Sequence, residues 1–371
     1  MVRPFARDPH NGEHLYRQLA LRLGRNIREG KLKPGQRLPS MDDLAASCGV
    51  TKITVRRALL ELKSEGLIYM KPAQGTYVVD TLPSRRQKKR NKVLTVGLIS
   101  HILTGQPGPY HAEILSSLRT EMNKRKGNLV VLPAFDTNSP DISAQIGHAN
   151  LDAVIVLGHF EPDMLRRIVR NGPPSVLVDY QVRGLRVDTI AVDNTAGAEA
   201  AINHLVALGH RDIALILGPD DSMVTKQRLA GARDALDRAG IALPSSRLFP
   251  GNFLLQSGYD AMASLLRMNP LPTAVFCMND EMAVGAIQAI HRLSSLEIPR
   301  DMSIVGFDDI IWSTAAHPRL TTIRIDKSLM GRLAMERAMS VLEDDSHTIT
   351  STVIDTELLQ RESTAPPRAL V

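Results

Sequence analysis

The sequence predicts two modules of different fold class. The first is a small α+β winged helix-turn-helix domain, and the second is a larger α/β module built on one or two open sheets. Three observations predict this. Residues 38–78 read LPSMDDLAASCGVTKITVRRALLELKSEGLIYMKPAQGTYV, two capped helical segments followed by a short hairpin. From Val93 onward, apolar strands alternate with amphipathic helices. Between the two lies LPSRRQKKRNK, basic and without apolar periodicity. The expected boundaries are therefore a reader over 1–80, a linker over 81–92, a second module over 93–365 and a flexible tail over 366–371, with residues 1–8 also expected to be disordered.

Charge divides at the same place. Residues 1–92 hold 20 Lys and Arg against 8 Asp and Glu, whereas the remainder holds 25 against 31. A basic module joined to a mildly acidic one points to a polyanion partner for the first half alone. With 371 residues and 43% hydrophobic content the chain has ample material for two or three cores. No apolar run approaches the ~20 residues of a membrane span, and the N-terminus lacks the apolar stretch of a secretory signal. The two cysteines, Cys48 and Cys277, fall in different modules, which leaves no disulfide framework or zinc knuckle. A cytoplasmic location is expected, with no membrane partner, metal or cofactor.

In the reader, Leu15, Leu19, Leu23 and Ile27 are spaced by four and share one helical face. Gly30 and Pro34-Gly35 end that helix. Ser40 is placed to cap a second helix, with Asp42 and Asp43 in its first turn, where the helix dipole favours acids. Thr51 can cap a third helix running to about Glu65, with Val55, Leu59 and Leu62 facing inward. Lys52, Thr54, Arg56 and Arg57 lie near its start, at the end of a recognition helix that meets base edges and phosphates. Arg reads guanine in bidentate fashion, whereas Lys and Thr more often fix the backbone. For Arg57, a solvated helix face stands beside a phosphate contact. Leu67–Val79 reads as two strands around Pro72–Gly75, a wing whose Lys71, Gln74, Gly75 and Thr76 can reach a groove or phosphate.

In the second module the strand candidates are KVLTVGLIS, NLVVLP, DAVIVLG, PSVLVDY, TIAVD, DIALILG, TAVFCM and SIVGF. Most are apolar on both faces, as in a parallel sheet covered by helices. Helical stretches lie near 111–125, 196–208, 226–239, 257–268 and 281–293. Ligands of such folds bind beyond the carboxyl ends of the strands. The residues found there are Tyr110, His111, Asp179, Arg228, Phe253, Asn279 and Asp308. Aromatic rings, carboxylates, an amide and a guanidinium suit a polyol, whose hydroxyls need directional partners and whose C–H face packs on a ring. Arg228 is read as opening its helix, Asp280 as capping the helix over 281–293, Asn279 as the better ligand contact, and Asp309 as a supporting or turn residue. Core packing stands beside ligand stacking for Phe253. His210 and Arg211 read as a turn leading into a strand.

The reader resembles the GntR family of winged-helix regulators. The matching residues are Ile27-x-x-Gly30, Pro34-Gly35, Leu38-Pro39-Ser40, Gly49-Val50-Thr51, Thr54-Val55-Arg56 and Gly75-Thr76-x-Val78. One departure is Asp42, which stands where that family usually has an arginine. The second module resembles the LacI/GalR sensor through Val192-Asp193-Asn194, Arg228-x-x-Gly231, Asn279-Asp280-x-x-Ala283-x-Gly285, Val305-Gly306-Phe307-Asp308-Asp309 and Arg361-Glu362-Ser363. The resemblance implies a periplasmic-binding-protein-like (type I) fold of two subdomains joined by three crossovers, with effector between them. By position, Arg228, Asn279 and Asp308 match that family's commonest effector contacts, and Asp179, Tyr110 and Phe253 match cleft positions of some members. The pairing of the two modules is similar to that of arabinose-type repressors. The linker lacks that family's hinge-helix pattern.

The expected function is a sequence-specific, DNA-binding transcriptional regulator. Repression of a palindromic, double-stranded operator by a homodimer, with release by a carbohydrate effector, is the leading form. An activator or a corepressor-dependent repressor with a non-sugar effector is the alternative. Catalysis is not expected: the chain carries none of the phosphate-loop, dinucleotide, zinc-protease or nucleophile-elbow motifs. A transport-type binding protein would need an export signal and no reader.

Overall fold

The computed structural model describes residues 15–28, 31–64, 66–71, 75–79, 93–100, 108–133, 145–146, 149–158, 160–182, 184–343 and 347–368. The expected linker over 81–92, the N-terminal residues 1–8 and Gln74 lie outside these. The chain divides into two compact units, Met1–Val93 and Leu94–Val371.

The reader begins with α1 (Leu15–Arg28), which buries Leu19, Leu23 and Ile27 through its four-residue spacing. Helix α2 (Met41–Cys48) starts at Ser40 with a full capping box and stops at Gly49, whose φ of 64° is left-handed. Ser40 Oγ accepts from Asp43 N–H at 3.1 Å, which satisfies one of the orphan donors of the first turn. Helix α3 (Lys52–Ser64) starts where Thr51 Oγ1 accepts from Thr54 N–H at 3.2 Å. Val55, Leu59 and Leu62 face its core, as their spacing requires. The wing is the antiparallel pair β1 (Ile68–Lys71) and β2 (Gly75–Val78), in register from Ile68 opposite Val78 to Lys71 opposite Gly75.

The second unit holds two six-stranded sheets. The first contains β3 (Thr95–Ser100), β4 (Asn128–Pro133), β5 (Ala153–Leu157), β6 (Ser175–Val178), β7 (Asp188–Val192) and β13 (Ser351–Ile354), in the order β13-β7-β6-β5-β3-β4. Helices α4 (Pro109–Lys124) and α5 (Pro162–Asn171) belong to its crossovers. The second contains β8 (Ile213–Ile216), β9 (Leu248–Phe249), β10 (Ala274–Cys277), β11 (Ser303–Asp308), β12 (Thr321–Ile325) and β14 (Thr356–Leu359), in the order β14-β12-β11-β10-β8-β9. Its helices include α6 (Asn194–Ala207), α7 (Met223–Arg238), α8 (Leu255–Leu265), α9 (Asp280–Leu293) and α10 (Ile311–Ala315). Helix α11 (Lys327–Glu343) follows β12 and packs on α4. All pairings are parallel except β12 with β14. The chain passes between the sheets three times: after β7, between β12 and β13, and between Ile354 and Thr356.

All eight expected strand segments form strands. The strands absent from the sequence reading are β9, β12, β13 and β14. Strand β9 is two residues long, and β13 and β14 are edge strands with exposed and half-exposed residues, so they carry no continuous apolar run. Helices α5, α10 and α11 lie beyond the helical stretches expected from the sequence. Of the expected tail, residues 366–368 are described and 369–371 lie outside the described residues. Ala365 O lies 2.9 Å from His210 Nε2, and beyond it Pro366 and Arg368 are exposed, with Arg368 3.4 Å from Asp301.

Candidate functional site

On the reader, the start of α3 carries the expected donors. Lys52 and Arg56 are exposed, and Thr54 is half-buried. Lys52 pairs with Asp42, the carboxylate that stands where the resembled family has an arginine. Its ammonium is therefore partly neutralised before any partner arrives. Ser40 Oγ is engaged as a cap and also lies 2.7 Å from Asp43 Oδ2. Arg57 turns toward α1, its guanidinium 5.9 Å from the Tyr16 ring centroid. Ile53, between Lys52 and Thr54, is 71% exposed beside these donors. Its only signal is that it falls off the inward stripe.

The wing holds Lys71 in an aromatic seat. Tyr69 and Tyr77 stack with centroids 5.6 Å apart, and Lys71 Nζ lies 5.6 and 5.5 Å from the two rings. A cation over aromatic faces is attracted by their quadrupoles, which restricts where the ammonium points. Gly75 has a φ of 116° and lies under the Arg37 side chain; an added Cβ would come within 2.8 Å of Arg37 Nε. Thr76 is half-buried on the wing, and its carbonyl accepts from Leu38 N–H at 2.8 Å.

In the second unit, a cavity of about 940 Å³ opens between the strand ends of the two sheets. Tyr110, His111, Asp179, Arg228, Phe253, Asn279 and Asp308 all line it. Backbone strain concentrates here: Asp179, Phe253 and Asp308 have φ of 62°, 67° and 108°, and Asp309 follows at 53°. Each such residue costs about 1–3 kcal/mol and persists only where its surroundings hold it, as at ligand sites.

Arg228 does not open its helix. It is the sixth residue of α7, and Ser222 is the cap. From that second turn its side chain lies buried, 3.6 Å over the Phe307 ring. Nε donates to Asn194 Oδ1 at 2.9 Å, Nη2 to Asp308 Oδ1 at 3.2 Å, and Nη1 to the Met278 carbonyl. Three of its five N–H groups are thus committed.

The cap expected of Asp280 falls instead to its neighbour Asn279. Asn279 is the cap of α9: Oδ1 accepts from Met282 N–H at 3.0 Å, and Nδ2 donates to Phe253 O at 2.8 Å. Asn279 still borders the cavity, and the bond to Phe253 fixes the strained turn that carries that ring. Asp280 is fully buried and accepts from Ile310 N–H at 2.9 Å and from Thr322 Oγ1 at 2.5 Å. Burial raises its carboxyl well above the usual range, with Asp308 adding to the shift. Asp309 supports the site as expected, accepting from Arg361 Nη2 at 2.6 Å and Ser313 Oγ at 2.9 Å.

Burial also raises the Asp179 carboxyl to about 7, against the pull of Arg228 and with a push from Asp308. The Tyr110 hydroxyl donates to Met330 Sδ at 3.6 Å, and burial, with the nearby Asp179 adding to it, raises it well above its usual value. Glu281, at the cavity wall, is raised to about 7 by burial and then by Asp308. Glu281 and Lys327 were not singled out in the sequence. Lys327 is 2% exposed and donates to Asp308 O at 2.6 Å, Asp309 O at 3.1 Å and Ile325 O at 3.2 Å, fixing the turn behind the cavity. Tyr180 and Trp312 also line the cavity, whereas His317 lines a separate one of about 480 Å³. Among the described residues no three His, Cys, Asp or Glu side chains converge to hold a metal, and no helix is long and apolar enough to cross a membrane.

Residues 15–78 match the gntR family of bacterial regulatory proteins, and residues 202–364 match the periplasmic binding protein-like domain. The HTH-type transcriptional repressor CytR of Escherichia coli K12 is 30% identical over 341 residues, 90% of this chain and 98% of that protein. A ribose operon repressor of Haemophilus influenzae is 30% identical over 283 residues, 75% of this chain and 83% of that protein. A LacI family regulator of Mycobacterium smegmatis superposes with a TM-score of 0.65 at 26% identity, over 74% of this chain and 100% of its own. A winged-helix reader joined to a two-lobed cleft defines a DNA-binding transcriptional regulator with a ligand-binding unit. The chain belongs to the LacI family of transcriptional regulators, with a gntR-type reader at its N-terminus.

Proposed function

We propose that this protein is a homodimeric, non-catalytic repressor whose hold on a palindromic operator is controlled by a carbohydrate in the cleft. The observation that carries this reading is the composition of the cavity wall. Arg228 keeps two N–H groups beyond those bound to protein, Asp179, Asp308 and Asn279 offer directional acceptors and donors, and Phe253, Tyr110 and Trp312 offer ring faces. Hydroxyls of a polyol satisfy the first set, and its C–H face packs on the second. The similarity to repressors, one of a ribose operon, supports the same direction.

Lys52, Thr54 and Arg56 at the start of α3, with Lys71, Gly75 and Thr76 of the wing, form the surface proposed to read DNA. Ser40 serves that surface by capping α2, and Arg57 by bracing α3 on Tyr16. Effector and operator bind distinct units, so control is a coupling free energy, reciprocal between them. The test is operator affinity of the full chain, on duplexes selected from a random library, with and without a panel of pentoses and hexoses. Release by one sugar supports the reading. If no sugar alters operator affinity, the carbohydrate assignment fails.

A further inference from the structure

The cavity wall is unbalanced in charge. Asp179, Asp221, Glu281 and Asp308 face it, and Arg228 is the only permanent cation among its described lining residues. His111, Tyr110 and Tyr180 are the remaining titratable side chains there. Arg228 is already matched by Asp308 at 3.2 Å and bound to Asn194 and the Met278 carbonyl. The next cation inward, Lys327, is buried behind the wall against three carbonyls and does not line the cavity.

Glu281 has a particular place in this arrangement. It belongs to α9 on the second sheet, yet its Oε1 lies so close over Gly108, at the start of α4, that a Cβ there would come within 2.6 Å. The carboxyl therefore stands in the gap between the subdomains, which a bound ligand must share.

We propose that the cleft selects its ligand by charge, admitting an uncharged polyol and rejecting its phosphorylated or carboxylated counterpart, with Glu281 as the specificity-determining residue. This inference rests on the carbohydrate reading above and deepens it. A hydroxyl donates as well as accepts, so it satisfies a carboxylate. An ionised phosphate or carboxylate substituent only accepts, and it would face Glu281 and Asp179 with no proton to share. The walled-in site strengthens that repulsion relative to water. Burial first, and then the neighbouring Asp308, raises both carboxyls to about 7, so Asp308 already opposes a further negative charge at each of them.

The test is calorimetric titration of the full-length protein, at a pH of about 8, with matched ligands: ribose and ribose 5-phosphate, then glucose, glucose 6-phosphate and glucuronate. In any set that binds, the neutral member is expected to bind at least about tenfold more tightly, and Glu281→Gln to narrow that gap severalfold by strengthening the anionic member. Asp179→Asn, on the opposite wall, acts in the same direction and keeps the test open if the first variant does not fold. An anionic member that binds as tightly as its neutral partner overturns the inference while leaving the carbohydrate reading intact. A gap unchanged in both variants removes these carboxylates as its cause. If no member of any set binds, and no other sugar of the pentose and hexose panel binds either, the carbohydrate reading itself falls, and this inference with it.

Discussion

Arg228, Asp308 and Asn279 show how a residue becomes a binding group only when its partners are counted. Arg228 stands on Phe307 and holds Asp308, so removing either charge leaves the other buried and uncompensated. Arg228→Ala or Asp308→Asn is expected to weaken effector binding by at least about tenfold, ~1.4 kcal/mol, while operator affinity without effector stays within about twofold. Paired effector and operator titrations check both. Asp179 yields a pH prediction. Its folded carboxyl keeps a proton up to about 7, whereas an unfolded aspartate loses it near ~3.9. Between these values the folded chain binds more protons. The stability contributed by this group is therefore present at low pH and is lost as pH rises through about 7. The melting temperature of the wild type minus that of Asp179→Asn should fall between about pH 4 and 7 and level off above; a flat difference would remove this titration. On the reader, Arg56→Ala should cost about 1–3 kcal/mol of operator binding and leave effector affinity alone, as anisotropy and calorimetry can show.

At the scale of elements, glycines set how closely helices approach. Helices α8 and α9 meet backbone to backbone: a Cβ at Gly285 would lie 2.0 Å from Leu255 O, and one at Gly258 2.1 Å from Met282 O. Alanine gains up to ~1 kcal/mol of helix propensity over glycine, but a carbonyl in a packed helix cannot yield that much space. Overpacking of about 1–3 kcal/mol therefore wins, and Gly285→Ala should lower the urea midpoint. An unchanged or raised midpoint would show that the two helices can separate at little cost. Much of this layer was legible from sequence. Capping at Ser40 and Thr51, the stop at Gly49 and the eight apolar strands follow from local chemistry and periodicity. Edge strands β13 and β14 were not, because half-exposed residues dilute the pattern that marks a buried strand.

For the whole molecule, the charge asymmetry becomes a measurable property. A basic reader binding duplex DNA releases condensed counterions, so operator and non-specific affinity should both fall steeply as salt rises. Lys71→Ala should reduce that salt slope by about 1, because this ammonium is held on the wing by Tyr69 and Tyr77. An affinity indifferent to salt would rule out the basic unit as a phosphate binder.

By itself the sequence determined the two units, their order, their secondary-structure rhythm and the seven residues at one cavity. These are local or periodic properties: capping needs neighbours three residues apart, and a ligand cleft at strand ends needs only the ends of the strands. The tertiary structure alone decided which of those residues is already spoken for. Asn279 took the cap, Asp280 was drawn inside to Thr322 and Ile310, Arg228 was bound to Asp308 80 positions away, and Glu281 was set against Gly108. The reason is physical. A carboxylate, amide or guanidinium in a dry interior must be matched by whichever donor or acceptor the fold delivers, and those partners are distant in sequence.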